Sequence, residues 1–121
     1  MSYVISGTEA GAVIFPADQF ESAVRARWNG SVEAVGRADD GMLVADLQPE
    51  DQPGFSVRLA ADAESMSTDG TPEQVADVAA WAISLLPADD THTVLLYDAN
   101  GQRVLQHGMS SQDVWSGWED Y

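Results

Sequence analysis

The sequence contains neither cysteine nor lysine, and no apolar run in it is long enough to span a bilayer. Without cysteine, a disulfide framework, a thiolate metal site and a cysteine nucleophile are all excluded. A transmembrane helix needs roughly 18 or more apolar residues, so we expect no membrane span. The first residues lack a basic segment followed by a continuous apolar one. This pattern predicts no secretory signal and makes the cytoplasm the expected compartment.

Negative charge dominates the composition. Twenty acidic residues and five arginines give a formal net charge of −15 over 121 residues. Such a charge repels nucleic-acid phosphates and anionic lipid, and it attracts a basic partner. The acids occur in doublets and not in a long run, which does not favour a disordered acidic tail. The sequence leaves open whether the acidity forms a binding face or is common to a whole proteome.

Length and apolar content predict a single domain over residues 1–121. The strand and helix signals follow one another as β-α-ββ-ββ-α-ββ-α, an order typical of an α+β fold. We expect a mostly antiparallel twisted sheet with two longer helices packed on one face. A short C-terminal helix is expected on the other face or at the sheet edge.

The first long helix is predicted over "ADQFESAVRARWNG". Asp18 and Glu21 have the spacing of a capping box, and Asn29-Gly30 would end the helix. Apolar side chains recur at i, i+4 and i+8 along it, at Phe20, Val24 and Trp28. These three should form its buried stripe.

The second long helix, over "TPEQVADVAAWAISLLP", has the clearest start in the chain. Thr71 suits the N-cap, Pro72 the first helical position, and Gln74 completes a capping box. Pro87 should end the helix. Trp81 lies about 100° from the centre of the apolar stripe, so we expect it at the boundary and partly exposed.

A hairpin is predicted over residues 91–108, with Asn100-Gly101 as a type I′ turn. This register places Asp98 opposite Arg103 as a cross-strand ion pair and makes His92 and His107 diagonal neighbours. Because both faces are substantially apolar, the hairpin should be central or covered on both sides. A metal could bridge the two histidines only if a carboxylate such as Asp89 or Asp90 joined them. Ordinary strand-end histidines are the stronger expectation.

No catalytic signature occurs in the chain. The nucleophile-elbow, phosphate-loop and zinc-protease patterns are all missing. The acidic stretch "DAESMSTDGTPE" departs from a calcium loop at Ser67, where glycine is required. We therefore expect a non-enzymatic protein with no catalytic residue, cofactor or metal. A carboxylate or histidine enzyme stays an alternative, since carboxylate pairs need no sequence signature.

The chain ends in "SQDVWSGWEDY", where aromatic and acidic residues are concentrated. Ser110 and Asp113 predict the cap of a short helix, and Val114 with Trp118 should anchor it. Trp115 and Tyr121 then point elsewhere and are available to a partner. The alternative is that both tryptophans dock on the body of the protein, since such aromatic residues are more often core than interface. The predicted partner-binding residues are exposed acids and aromatics: Asp39, Asp40, Trp81, Asp89, Asp90, Trp115, Glu119, Asp120 and Tyr121.

Residues 55–101 contain a strand, a "DG-T" helix start, an "A-A-W" helix ending in "LLP", and a strand ending in aspartate. This pattern resembles small bacterial immunity proteins of polymorphic-toxin and contact-dependent inhibition systems. It covers less than half of the chain, and no functional residue carries over by motif. The resemblance implies a non-enzymatic inhibitor that occludes a cognate toxin, and a basic toxin domain would suit the charge of this chain.

Two other functions remain open at this stage. One is a nucleic-acid mimic that blocks a DNA-binding protein, with acids spaced like phosphates along one face. The other is a subunit of a larger assembly, including a homodimer formed through the C-terminal helix. In both cases, as for the toxin inhibitor, the protein itself would bind no nucleic acid and no membrane.

Overall fold

The computed structural model describes residues 2–8, 11, 13–85 and 94–121. These residues form an α+β fold, as the element order predicts. The strands are β1 (Tyr3–Gly7), β2 (Val32–Arg37), β3 (Leu43–Leu47), β4 (Phe55–Leu59), β5 (Ser65–Thr68), β6 (Val94–Tyr97), β7 (Gly101–Leu105) and β8 (Glu119–Asp120). The helices are α1 (Phe20–Arg27), α2 (Pro72–Ser84) and α3 (Ser111–Val114), with 3-10 turns at Ala17–Gln19 and Trp115–Gly117.

All eight described strands belong to one antiparallel sheet, in the order β2-β3-β4-β5-β1-β6-β7-β8. The N-terminal strand β1 is central, because it pairs with both β5 and β6. Strands β5 and β6 therefore run in the same direction, and α2 belongs to the crossover between them. This topology places the start of α2 at the end of the sheet where β1 begins.

One face of the sheet forms the core. The side chains of β4 alternate between buried and open positions, since Phe55, Val57 and Leu59 are at most 5% exposed and Arg58 is exposed. The same alternation in the neighbouring strands aligns their buried side chains with apolar residues of the helices. The core strand residues are Ile5, Ala45, Leu47, Phe55, Val57, Leu59, Met66, Val94, Leu96 and Leu105.

The two longer helices are predicted in the right places, but they differ in length. The capping box of α2 is present: Thr71 Oγ1 accepts from Gln74 N at 3.2 Å, and Gln74 Oε1 accepts from Thr71 N at 2.9 Å. α2 has 13 residues, whereas α1 has eight and follows a 3-10 turn. The predicted Asp18–Glu21 box is wrong, because α1 begins after Gln19 without a side-chain cap. Residue 87, the expected stop of α2, lies outside the described residues.

The expected partial exposure of Trp81 is wrong. Its side chain is 8% exposed, and its ring centroid lies 4.9 Å from that of Phe15 and 5.0 Å from that of Trp28. The apolar periodicity of α2 predicts that its Trp81 side is partly exposed to solvent. In the structure, Phe15 and the buried side chains Phe20 and Trp28 cover that side. Trp81 therefore joins two apolar layers and offers a partner little surface.

The β6–β7 hairpin is present, but its register differs by two residues from the prediction. Tyr97 pairs with Gln102, and Asp98 N donates to Gly101 O at 3.1 Å. The turn is therefore formed by Ala99 and Asn100. Asp98 Oδ1 accepts from the backbone N of Asn100 at 2.8 Å and of Gly101 at 3.1 Å, which closes the turn one residue earlier. A shift of two residues keeps every side chain on its predicted face.

One consequence drawn from the predicted register is wrong. Arg103 pairs with Leu96 and not with Asp98, so the cross-strand ion pair is not formed. Its guanidinium instead donates to the carbonyl oxygens of Val114 and Asp113. The sequence predicts a hairpin that is central or covered on both sides, and the first alternative is confirmed, since β6 lies between β1 and β7 and β7 lies between β6 and β8. Its open face is only partly covered by the described residues, with Val104 40% exposed. The proposed neighbour of His107, residue 92, lies outside the described residues, and His107 itself is exposed.

The C-terminal helix packs beside α2 and not on the opposite face of the sheet. Val114 is fully buried in the same core. After it the chain turns back and adds β8 to the edge of β7, with Gly101 opposite Asp120 and Gln102 opposite Glu119. The tail is therefore integrated into the fold through both a helix and a strand.

Candidate functional site

Three aromatic rings meet where the tail crosses the start of the sheet. Tyr3 lies two residues before the buried Ile5 in β1, and its side chain is therefore on the same, helix-covered face of the sheet. Its ring centroid is 5.5 Å from Trp115 and 6.0 Å from Trp118, and the two indole centroids are 5.1 Å apart. All three pairs are tilted by 64° to 71°, so they make edge-to-face contacts and not flat stacks. The three side chains remain partly exposed.

Local sequence fixes the tail in this position. The Ser110 backbone N and Oγ both donate to Asp113 Oδ2 at 3.0 Å, which caps α3 as predicted. These two bonds, helped by the nearby Arg103 charge, lower the pKa of the Asp113 carboxyl. Trp115 Nε1 donates to Pro72 O at 2.9 Å, and Trp118 Nε1 donates to Asp120 Oδ1 at 3.1 Å. The expectation that Trp115 points away from the body is therefore wrong, since both tail tryptophans dock.

A carboxylate faces this aromatic cluster. Asp98 follows β6, and its position is fixed by the two backbone N–H groups that it accepts in the turn. Burial, and secondarily the charge of Asp98, raises the pKa of the Tyr3 phenol above its usual 10.0. Asp98 and Tyr3 therefore lie close enough for the carboxylate to disfavour the ionised phenol.

The cluster opens into a cleft of about 330 Å³, which we call the tail cleft, lined by Tyr3, Pro72, Asp98, Asn100, Trp115 and Trp118. Two further clefts adjoin it through shared residues. One of about 390 Å³ includes Trp115, Glu73 and Asp77, and one of about 370 Å³ includes Pro72, Glu73 and Gln52. Together the three clefts form a groove around the start of α2, which we call the acidic groove.

The acidic groove has carboxylates in its lining but no arginine among the described residues that line it. The carboxylates are Glu73, Asp77 and Asp98. The nearest cation is Arg27, which pairs with Asp77 at 3.7 Å. Arg103 lies beneath the tail turn, where it donates to backbone carbonyls. The groove is consequently a negative surface with aromatic walls.

A second surface lies on the opposite face of the sheet. There Val4 pairs with Tyr97, and Leu95 pairs with Val104, which brings four apolar or aromatic side chains together. Three of them are half-buried and Val104 is 40% exposed. Tyr121 is 74% exposed, and its hydroxyl lies 3.4 Å from Gln102 Oε1 beside this patch. We call this surface the open-face patch.

The predicted site residues are dispersed over the molecule. Asp39 and Asp40 lie in the β2–β3 turn at one sheet edge, whereas the tail lies at the other. Strands β3 and β6, which lie between these two places in the sheet, are already roughly 20 Å apart at the usual spacing of neighbouring strands. Trp81 is in the core, and residues 89 and 90 lie outside the described part of the chain. Of the predicted residues, only those of the tail lie near one another in the structure. Trp115 and Asp120 lie on the helix side of the sheet, and Glu119 lies on the opposite face of β8.

Sequence reasoning missed the other residues of the groove. The sequence pattern assigns Pro72 and Glu73 only to the start of a helix and Asp98 only to a hairpin, and it links Tyr3 to none of them. The one available signal is the concentration of aromatic residues at the C-terminal end of the chain, which is unusual for a segment expected to fray.

The described residues offer little to metal or acid–base chemistry. They contain no cluster of three or more histidine, cysteine or acidic side chains that could hold a metal ion. The one pair of interacting carboxylates, Asp62 and Glu64, is in the β4–β5 turn. The hydrogen bond between the two side chains raises the pKa of Glu64, and the Glu64 backbone N–H lowers that of Asp62. Both belong to an exposed turn remote from the groove.

Comparison of the chain with models of protein families, with characterised proteins and with solved structures gives no match. None of the described helices combines the length and apolarity needed to cross a bilayer.

Proposed function

We propose that this protein binds a basic protein partner and that the acidic groove is the contact surface. The observation that carries the proposal is the composition of the groove. Glu73, Asp77 and Asp98 stand among exposed faces of tryptophan and tyrosine, and no cationic side chain is found among the described lining residues. Aromatic residues supply contact area at little entropic cost, and carboxylates supply orientation and charge complementarity.

The charge of the whole chain supports the same proposal. A net charge of −15 accelerates the approach of a basic protein and disfavours association between two copies of this chain. A homodimer formed through the tail would also bring the carboxylates of two grooves together. We therefore favour a heterologous partner over the self-assembled alternative.

The immunity-protein resemblance suggests what the partner is. A non-enzymatic inhibitor of a cognate toxin needs a fixed, charged surface that covers the active cleft of its target, and the acidic groove has that character. We propose that the partner is a basic toxin domain, which this protein neutralises by occlusion in the cytoplasm. Here the aromatic rings are the central contacts, and the carboxylates at the rim accelerate encounter.

A capture experiment with footprinting tests the proposal. The immobilised full chain is exposed to lysate of the source cells at low salt, and bound protein is released at high salt and purified. Hydroxyl-radical footprinting of the complex should then protect Trp115, Trp118 and Tyr3. Protection confined to Tyr97 and Tyr121 would place the contact on the open-face patch and contradict the groove. Failure to capture any basic protein would contradict the function itself.

A further inference from the structure

We infer that the tail cleft is a binding site for a guanidinium group, supplied by an arginine side chain of the partner. That the guanidinium comes from a protein partner rests on the proposed function, whereas the preference of the cleft for a guanidinium follows from the geometry of the cleft itself. The site combines three aromatic rings with the Asp98 carboxylate in one cleft of about 330 Å³.

The rings present a negative surface to the cleft. Aromatic faces attract cations within about 6 Å of the ring centroid, and tryptophan attracts them most strongly. Tyr3, Trp115 and Trp118 are partly exposed and all three line the cleft, and their edge-to-face contacts leave no flat stack between them. A planar cation in the cleft therefore meets aromatic surface.

The hydrogen-bonding groups of the cleft favour a donor ligand. Both indole N–H groups already donate, Trp115 to Pro72 O and Trp118 to Asp120. Pro72 has no backbone N–H, so the start of α2 offers no donor at that position. The carboxylate of Asp98 and the side-chain oxygen of Asn100 are acceptors. An anion would meet negative charge and few donors, while a guanidinium would find acceptors beside the rings.

A guanidinium fits this combination better than an ammonium group does. It is planar, stacks on aromatic faces and is more weakly hydrated, and while stacked it can donate to Asp98 Oδ2, since Oδ1 accepts the two turn hydrogen bonds. The protein contains one such arrangement of its own. The Arg27 guanidinium carbon lies 5.2 Å from the ring centroid of Trp28, and the same guanidinium pairs with Asp77. The tail cleft offers the same partners, a tryptophan and an aspartate, to an arginine from outside.

The test is a titration of the full ¹⁵N-labelled chain with N-acetyl-arginine amide, followed through the four indole N–H signals. Trp115 and Trp118 should shift saturably, with a dissociation constant on the order of millimolar. The buried Trp28 and Trp81 are internal controls and should not shift. N-acetyl-citrulline amide, a neutral analogue of the same shape, should produce no saturable shift, and the lysine analogue should bind more weakly. Equal shifts by citrulline, or equal shifts of all four indoles, would overturn the inference.

Two variants, Asp98→Asn and Tyr3→Leu, test the contributions of the charge and of the aromatic ring to binding, and each is compared with a control variant. Asp98→Asn retains the acceptor that closes the turn but removes the charge, and it should weaken binding about two- to fivefold, the range for an exposed ion pair. Asp39→Asn, at an exposed acid in the β2–β3 turn at the other sheet edge, should leave binding unchanged. Tyr3→Phe keeps the ring and should bind like the wild type, while Tyr3→Leu should bind more weakly. Unchanged affinity in both Asp98→Asn and Tyr3→Leu would place the ligand elsewhere.

A last comparison identifies the source of the guanidinium. If the cleft serves a partner's side chain, a capped Gly-Arg-Gly peptide should bind at least as tightly as free arginine. Tighter binding of free arginine would contradict assignment to a side chain. The titration is independent of the capture experiment. If N-acetyl-arginine amide binds but the footprint of the complex shows no protection in the groove, only the proposed function is refuted. If the groove is protected in the complex but the arginine analogue does not bind, only this inference is refuted.

Discussion

Single residues decide how the tail attaches to the sheet, and Gly101 is the clearest case. A Cβ atom at this position would lie 2.5 Å from Glu119 O and 2.6 Å from Trp118 Nε1, so no other residue fits beneath the tail. Gly101→Ala should displace β8 and Trp118 and lower the free energy of unfolding by about 1–3 kcal/mol. Urea unfolding and the Trp118 indole signal measure the effect. Gly36→Ala is the matched control, since nothing lies within 4 Å of a Cβ built there.

Thr68 is a second residue with a defined energetic consequence. It is 3% exposed, and its Oγ1 forms no hydrogen bond with the described residues. An unsatisfied buried hydroxyl destabilises the folded state, so Thr68→Val should raise the free energy of unfolding by about 1 kcal/mol. Thr68→Ser keeps the hydroxyl, removes a methyl group and should lower it by a similar amount. A large loss of stability in the valine variant would show that the hydroxyl has a partner.

Among the elements, α3 is held by a titratable cap. The Ser110 N–H and hydroxyl, helped by Arg103, lower the pKa of Asp113 in the folded state. A lowered folded pKa means that the cap contributes stability above the unfolded value of about 3.9, and that this contribution is lost as the pH falls through the folded value. The Trp115 and Trp118 indole signals should therefore report loosening of the tail in acid. In Asp113→Asn this acid step should be missing, and an unchanged step would assign it to other carboxylates.

The comparison of predicted and observed elements shows which information is local. The capping box at Thr71 involves neighbouring residues, and the sequence predicts it correctly. The turn predicted at Asn100-Gly101 is shifted by one residue, and Gly101 instead lies opposite Asp120 of β8, a contact between residues almost twenty positions apart that no local pattern reveals. β8 itself is only two residues long and has no periodicity to detect. The site follows the same rule: Tyr3 and Trp115 meet across nearly the whole length of the chain, and no local pattern links them.

At the scale of the whole molecule, charge and topology act together. The sheet order brings β1, the β6–β7 turn and the tail to one place, and the start of α2 completes the acidic groove. The acidic doublet Asp39-Asp40 is at the far edge, so the acids do not form one continuous face through these residues. In the proposed complex, net charge would accelerate association from any direction, whereas the groove would determine which contacts persist.

The central claim is that the acidic groove, and not overall acidity, binds the basic partner. The most direct test compares two double variants of equal net charge for affinity to the purified partner. One is Glu73→Gln with Asp98→Asn in the groove, and the other is Asp39→Asn with Asp40→Asn in the exposed β2–β3 turn at the other sheet edge. The groove variant should bind at least about tenfold more weakly, a loss of about 1.4 kcal/mol, and the control should bind nearly as the wild type does. Equal affinities for the two variants would contradict the account.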